Sequence, residues 1–120
     1  MNKITMLYLS GDSAEFIQIK PDLETYYDLL NCATIDIVNI YIGGKVYEVI
    51  CDDEGLYKSP LHFSVITKSM HPLIVGKVLV CNSEDGKEKS LNISDVIHLT
   101  RALCWTSQGG EPIAALLADD

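Results

Sequence analysis

The sequence predicts an α+β fold: a single domain with a mainly antiparallel sheet of about five strands and two packed helices. The chain has 120 residues, a common size for one domain, and 48% of them are apolar, enough for one core. Residues 35–58 have the pattern of two strands joined at Gly43-Gly44 and closed by an acidic turn. Two further segments, 21–31 and 92–104, space their apolar residues as helices do. The predicted order of elements is ββαββ, a loop, then βα.

The chain opens with a predicted hairpin. Residues 4–9 form an apolar run, and residues 16–20 alternate apolar and polar side chains. Between them, Ser10-Gly11-Asp12-Ser13 is a turn sequence. Strand 4–9 is expected to lie at a sheet edge, where it could pair with a second copy and give a homodimer.

The first helix is predicted to begin after Asp22, which has the side chain of an N-cap. Glu24 and Asp28 fall on its solvent face. The apolar residues that follow the cap recur at i, i+3, i+4 and i+7 and predict one buried face: Leu23, Tyr26, Tyr27 and Leu30.

In the central hairpin, residues 35–51, the apolar pattern changes phase near Val38-Asn39. This predicts either a β-bulge or a strand that is buried on both faces. The second strand places alternate apolar side chains on one face, while Lys45 and Glu48 mark it as partly exposed to water.

The second half of the chain is predicted to contain a loop, one strand and the second helix. Residues 62–66 could form a short strand or one helical turn, and residues 55–70 as a whole, which include Ser59-Pro60, are predicted to form an extended loop over the sheet. Residues 72–81 are predicted to form one central strand, with Gly76 as a bulge. Asn92 is expected to cap the second helix in a capping box with Asp95. That helix is expected to bury Ile93, Val96, Ile97, Thr100, Leu103 and Cys104.

The domain is therefore predicted to span residues 1–105. Gly109-Gly110 separates it from residues 111–120, whose apolar run is typical of a short docked or partner-dependent helix. Residues 106–120 are expected to form a C-terminal tail that is a short helix or flexible.

The formal net charge is −8, and Arg101 is the only arginine. Both features disfavour direct binding to nucleic acid or to an anionic membrane, and they favour a protein partner with a basic surface. An alternative is that the acidity only keeps a small protein in solution. No apolar run has the length of a membrane span, and the first residues lack the pattern of a signal peptide. We expect a complete cytoplasmic protein whose four cysteines are thiols.

None of the common catalytic or metal-binding patterns is present. The consecutive acids Asp52, Asp53 and Glu54 lack the alternation and the distant glutamate of a calcium loop. His62, His71 and His98 have no neighbouring cysteine at zinc spacing. There is neither a nucleophile motif nor a phosphate-binding glycine loop. We therefore expect a non-enzymatic protein without a cofactor.

The candidate partner-binding residues are acidic or aromatic. Tyrosine is favoured at interfaces because it combines a large apolar ring with a polar tip. Trp105 is also expected to be exposed. The set comprises Glu24, Asp28, Tyr41, Asp52, Asp53, Glu54, Tyr57, Glu84 and Asp85.

The sequence resembles the DUF3846 family over residues 3–104. The resemblance is carried by residues 22–30, by Asp53-Glu54-Gly55-Leu56, by Ser59-Pro60-Leu61, by the run Ile74-Val75-Gly76 to Cys81, and by Ser90-Leu91-Asn92. It departs at Asp52, where the family has asparagine, and at Asn31-Cys32-Ala33, where a glycine is missing.

The family has no assigned activity, so no residue inherits a role. The resemblance implies a small protein of phages or mobile elements, and so an acidic inhibitor of a host defence component. The alternative hypothesis is a protein that sequesters a small molecule, such as a nucleotide signal, between the sheet and residues 56–71.

Overall fold

The computed structural model describes residues 3–55 and 62–120. The α+β prediction is confirmed, but the described chain has ten strands in two sheets rather than about five in one. Neither helix of the described residues is long and apolar enough to cross a bilayer. The elements are β1 (Ile4–Leu9), β2 (Ala14–Ile19), α1 (Leu23–Leu30), β3 (Ile35–Ile42), β4 (Lys45–Asp52), β5 (Phe63–Thr67), β6 (Pro72–Val75), β7 (Val78–Glu84), β8 (Lys87–Lys89), α2 (Ile93–Ala102), β9 (Leu103–Gln108) and β10 (Glu111–Ala118).

The first sheet has the order β2-β1-β7-β4-β3, with β8 paired to the end of β7, and all its pairs are antiparallel. The second sheet has the order β6-β5-β10-β9, in which β5 and β10 run parallel. Because β1 lies between β2 and β7, the prediction that residues 4–9 form a free edge for a homodimer is wrong. A backbone already paired on both sides offers no edge to a second copy.

The first sheet is covered on both faces. The larger core lies between the two sheets and contains Tyr47, Val49 and Cys51 from β4, while Ile50 joins the smaller core beneath α1. The register of β3 against β4 is continuous, so there is no bulge near Val38. The strand is not buried on both faces along its length either, because Ile37 is 47% exposed and Tyr41 is 61% exposed on the face opposite Val38. Residues 38, 40 and 42 face the second sheet, and Ile35 packs on the α1 side.

The prediction for residues 106–120 is wrong. They complete a hairpin in which β10 lies between β5 and β9, and Ala115 and Leu116 are fully buried. Gly109 and Gly110 both have positive φ and form the hairpin turn. A short apolar run fits a helix and a buried strand equally well by periodicity, and only the pairing partner β5, some fifty residues away, decides between them.

Residues 55–81 also differ from the prediction. Residues 63–67 are strand β5 rather than loop, while residues 56–61 lie outside the described residues. The apolar run 72–81 is divided at Gly76, whose φ is +89°, into β6 and β7, which belong to different sheets. A continuous apolar run cannot reveal a change of sheet, because Ile74 of β6 and Val78 and Val80 of β7 pack into the same core.

Both predicted helix caps are confirmed, since Asp22 accepts a hydrogen bond from Thr25 N and Asn92 forms the capping box with Asp95. The buried face of α2 was predicted wrongly: Asp95 and Leu99 are buried, whereas Ile93 is 80% exposed and Ile97 is also exposed. The helix ends at Ala102, so Leu103 and Cys104 belong to β9. All four cysteines are thiols, as predicted.

Candidate functional site

The acidic turn predicted after the central hairpin lies at one end of the two-sheet sandwich, where β4 ends. The half-buried Asp52 accepts a hydrogen bond from the Glu54 backbone N–H through Oδ1 at 2.9 Å. The Asp53 N–H donates to the Thr34 carbonyl at 3.3 Å. These bonds hold the turn, and the side chains of Asp53 and Glu54 are exposed to solvent. The turn adjoins two clefts.

The first cleft has a volume of about 420 Å³ and is walled by the ends of both sheets. Four connections that are far apart in the sequence meet there: the β1–β2 turn, the end of α1, the β6–β7 turn and the start of β10. The Ala114 N–H donates to the Gly11 carbonyl at 2.7 Å and ties two of them together. Its described lining is Ser10, Gly11, Asp12, Leu30, Asn31, Asp52, Gly55, His62, Gly76, Lys77, Glu111, Pro112 and Ile113.

The second cleft, of about 520 Å³, lies on the other side of the acidic turn, between the end of β3–β4 and strand β6. It shares Asp52 and Gly55 with the first cleft and adds Asp36 and Asp53. Its walls are mainly apolar: Val38, Ile40, Phe63, Pro72, Leu73, Ile74 and Val75. The acidic turn therefore stands between two open hollows rather than on a flat surface.

His62 is the titratable ring of the first cleft. Its backbone carbonyl accepts from the Gly76 N–H at 2.9 Å, and the ring lies against Gly11. Within the described part of the chain, its buried Nε2 has no hydrogen-bond partner. Burial lowers the pKa of His62 and Lys77 lowers it further, against a contact with the Gly76 backbone that raises it. The ring is therefore held neutral near pH 7.

We name this end of the molecule the acidic end: Asp12, Asp36, Asp52, Asp53, Glu54 and Glu111. The fold brings Asp12 and Glu111 to the turn from opposite ends of the sequence. Lys77 is the one cation among the described residues that line either cleft. The sequence analysis missed four residues of this end: His62, Asp12, Asp36 and Glu111. They share no sequence pattern, and they come together only because they lie near the ends of strands that the tertiary fold pairs.

The remaining predicted residues do not join the acidic end. Glu84 and Asp85 lie at the β7–β8 turn, at the far end of β7, where Glu84 pairs with Lys89 at 2.6 Å. Glu24 and Asp28 are exposed on α1. Tyr41, like Trp105, is exposed as predicted, but it lies on the edge strand β3. Tyr57 lies outside the described residues.

A second charged cluster lies at the opposite end of β4 and surrounds Asp95, which is 2% exposed. One carboxylate oxygen accepts from Lys45 Nζ and from the Tyr47 hydroxyl at 3.0 Å. The other accepts from Asn82 Nδ2 at 2.6 Å and from the Asn92 N–H at 3.0 Å. Burial raises the pKa of Asp95, but these four donors outweigh it and lower the pKa to about 2.

His98 extends this second cluster. It stacks on Tyr47 at a centroid distance of 6.0 Å, and its Nε2 lies 2.6 Å from the Ile42 carbonyl. The ring is half-buried and anchored to the β3–β4 hairpin. The polar atoms of Asp95 and its partners, and Nε2 of His98, take part in hydrogen bonds or an ion pair. The cluster therefore clamps α2 to the β3–β4 hairpin.

Glu48 was predicted to be partly wet, and this was wrong. It is 7% exposed beneath α1, and its Oε1 has no partner among the described residues. Burial raises the pKa of Glu48, and the neighbouring Glu88 raises it further. Glu88 accepts a hydrogen bond from the Tyr26 hydroxyl at 2.8 Å. Both effects favour the protonated form of Glu48.

No three His, Cys, Asp or Glu side chains of residues 3–55 and 62–120 converge closely enough to hold a metal ion. Comparison with known proteins gives one match, to the model of a domain of unknown function (DUF3846), over residues 4–103. No curated protein and no solved structure matches the chain significantly. The match covers every described element from β1 to α2, and the chain therefore belongs to the DUF3846 family.

Proposed function

We propose that this chain is a non-enzymatic binding protein that docks its acidic end on the basic surface of another protein. The observation that carries the proposal is that five carboxylates line two adjoining clefts, with Glu54 exposed beside them, while among the described lining residues the one cation is Lys77, in the first cleft. The partner would be a host protein, and the docking would take place in the cytoplasm, where the four thiols stay reduced.

The net charge and the apolar walls of the clefts both support this role. A net charge of −8 attracts a basic partner over a distance near the Debye length, about 8–10 Å at physiological salt. The clefts then offer apolar walls that a flat acidic surface lacks, so contact can bury apolar area as well. If the partner uses its basic surface to bind nucleic acid, occupation by carboxylates would block it, which is how the protein would act as an anti-defence inhibitor.

The direct test compares two charge-neutralised variants in affinity capture from host lysate at low and high salt, read by mass spectrometry. The acidic-end variant carries Asp52→Asn, Asp53→Asn and Glu54→Gln. The control variant carries Glu15→Gln, Glu24→Gln and Asp28→Asn, which removes the same charge from exposed positions elsewhere. We expect a basic protein that is captured at low salt by the wild type and the control but is lost with the acidic-end variant.

Capture that persists in high salt with the acidic-end variant would contradict the proposal. Equal loss with both variants would show that capture follows total charge rather than the acidic end, and would also contradict the proposal. The Glu84 carboxylate is the weakest candidate contact, because Lys89 already neutralises it.

The first cleft favours a second candidate function, sequestration of a small molecule. Its volume of about 420 Å³ falls within the range of about 300–1,000 Å³ typical of ligand sites. Its carboxylates disfavour nucleotides and other anions. A thermal-shift screen with nucleotides and with small organic cations separates the two: stabilisation by a compound, with no protein captured, would support sequestration.

A further inference from the structure

Strand β2 is an outer edge of the first sheet, and one side of its backbone has no neighbouring strand among the described residues. The Ser10 N–H donates to the Ser13 carbonyl at 3.0 Å, so residue 13 bonds on the β1 side. Because bonding alternates along an antiparallel strand, the odd-numbered residues of β2 bond to β1. The N–H and C=O groups of the even-numbered residues point outward and have no partner in the described chain: Ala14, Phe16 and Gln18. An edge of this kind is a template for another strand.

The other edge strands are obstructed. In β3, the Tyr41 carbonyl accepts from the Asp119 N–H at 2.8 Å, and the Ile37 N–H donates to Asp36 Oδ1 at 2.9 Å. Strand β6 has four residues and begins with Pro72, and the first N–H of β9 bonds to the last turn of α2. Prolines, short strands and backbone groups that are already bonded all discourage pairing at an edge. Among the described edges, β2 therefore offers the longest unobstructed run of backbone groups.

We propose that β2 is the interface of a homodimer, in which β2 of a second copy pairs with it antiparallel about a two-fold axis at Phe16. In this register Ala14 lies opposite Gln18 of the second copy, and the two Phe16 residues lie opposite each other. Every outward N–H and C=O group of these three residues then gains a partner. The half-buried Phe16 rings also meet across the axis and lose solvent exposure. The dimer goes beyond the proposed function and does not depend on it.

Charge selects this register. Exposed Lys20, which follows β2, comes close to exposed Asp12 of the second copy, which precedes β2, and the axis repeats the contact. Neither has an ion pair in the described chain. An axis at Glu15 would place two like charges opposite each other. An axis at residue 17 would place Lys20 opposite Ala14, although the Lys20 carbonyl already accepts from the Asp22 N–H at 2.9 Å.

Size and net charge set the strength of the dimer. Two copies that each carry a charge of −8 repel at long range, but about 0.15 M salt screens this repulsion beyond about 8 Å. The contacts at β2 act at shorter range. A six-residue strand from each copy makes a small interface, so we expect a reversible dimer whose population rises with concentration.

The test combines sedimentation velocity of the full chain over a series of concentrations with amide hydrogen exchange read by NMR. We expect the dimer to appear as the concentration rises. The outward amides of Ala14, Phe16 and Gln18 should exchange rapidly in the monomer and become protected as the dimer forms. The amides of Glu15 and Ile17 bond to β1 and should be protected at every concentration.

A proline variant tests the backbone pairing. Gln18→Pro removes an outward N–H while leaving the hydrogen bonds between β1 and β2 in place, and it should abolish the dimer. The matched control, Gln18→Thr, keeps the N–H and should dimerise as the wild type does. Circular dichroism reports whether each variant is folded.

A charge exchange tests the register. Lys20→Glu and Asp12→Lys each convert both opposite-charge contacts into like-charge contacts, and each should weaken its own homodimer by roughly tenfold. An equimolar mixture of the two variants restores both contacts in the mixed dimer and should recover the wild-type association. Glu15→Gln changes a charge on the same strand that has no charge opposite it, and it should leave the association unchanged.

A chain that stays monomeric at every concentration would overturn the proposal. So would a dimer that survives Gln18→Pro, a mixture that associates no better than its two components, or protection that develops on β3 or β9 instead. If the β2 amides become protected only when a captured basic protein is added, the edge belongs to that partner and the homodimer is rejected. The proposed function fails separately, by capture that survives neutralisation of Asp52, Asp53 and Glu54.

Discussion

Strand β4 connects two ends of the molecule, one with a buried and hydrogen-bonded carboxylate and the other with carboxylates exposed to solvent. At its start, Asp95 is buried and receives four donors, among them Lys45. At its end, Asp52 belongs to a turn whose neighbours Asp53 and Glu54 face water beside two clefts. Seven residue steps of about 3.3 Å separate the two ends by roughly 23 Å.

The difference shows that the number of acidic residues does not by itself indicate where a partner binds. A buried carboxylate with its donors complete is a structural clamp, because nothing remains for a ligand to satisfy. Exposed carboxylates beside a hollow leave their charge available to a partner. The two ends therefore make separable predictions for stability and for binding.

The largest effect on stability is expected when the Asp95 carboxylate is removed, because several hydrogen-bond donors then lose their acceptor. Asp95→Ala strands the Tyr47 hydroxyl and the Asn82 amide and breaks the capping box of α2. We expect the free energy of unfolding to fall by about 3 kcal/mol. Urea denaturation followed by circular dichroism measures it, with Asp53→Ala as the control at the acidic end, where a change beyond about 0.5 kcal/mol is not expected. A loss below 1 kcal/mol for Asp95→Ala would contradict the clamp.

The same clamp has a pH signature. The folded-state pKa of Asp95 is about 2, below the value of about 3.9 in an unfolded chain. A lowered pKa means that the stabilisation is complete above about pH 4 and is lost as the pH falls toward 2. Asp95→Asn should remove this part of the decrease of the unfolding midpoint at low pH. If the midpoint of the variant falls with pH as that of the wild type does, other carboxyl groups cause the decrease.

The hairpin at the clamp end gives the next effect. Gly43 has φ +58°, and a Cβ there would lie 2.6 Å from His98 Cε1, while His98 is held by Tyr47 and the Ile42 carbonyl. Gly44 also has positive φ, but a Cβ there meets nothing within 4 Å. Gly43→Ala should therefore be about 1–2 kcal/mol more destabilising than Gly44→Ala. Equal melting temperatures for the two variants would mean that His98 moves freely.

Glu48, in the middle of the same strand, is a buried carboxylate whose charged neighbour is another carboxylate, Glu88. Its pKa is raised by burial and by Glu88. A raised carboxyl pKa stabilises the folded form at low pH, and that stabilisation is lost as the pH rises from the unfolded value of about 4.3 through the folded value. Glu48→Gln should raise the free energy of unfolding at pH 8 by about 1 kcal/mol and flatten its decline as the pH rises above the unfolded value.

The denaturation midpoint across that pH range is the measurement. Glu15→Gln, on the exposed part of β2, is the control and should leave the curve unchanged. A Glu48→Gln variant that is destabilised at pH 8 would show that Glu48 is ionised and paired.

The smallest effect on stability is expected at the acidic end. Neutralising Asp52, Asp53 and Glu54 together should change the free energy of unfolding by no more than about 0.5 kcal/mol, since asparagine at 52 can still accept from the Glu54 N–H. The same variant should lose partner capture. A large stability loss in thermal unfolding would show that the acidic end, like the other end, is a structural cluster.

The sequence predicted part of this site and not the rest. The Asp52–Gly55 turn was predictable because its residues are consecutive and follow an alternating strand. His62, Asp12 and Glu111 were not, because they reach the first cleft from connections up to about a hundred residues apart. An imidazole nitrogen that is buried without a partner among residues 3–55 and 62–120 is a property of the packed chain and has no signature in the residue order.

What the sequence alone determined is local. The Gly43-Gly44 hairpin, the caps at Asp22 and Asn92, and the α+β class follow from backbone dihedral preferences and hydrogen bonds within a few residues. The tertiary structure decided the rest: the sheet that receives residues 111–118, the division of residues 72–81 at Gly76, and the face of α2 that is buried. The reason is physical, since an apolar residue gains the same free energy in any core, and only long-range pairing determines which one it joins.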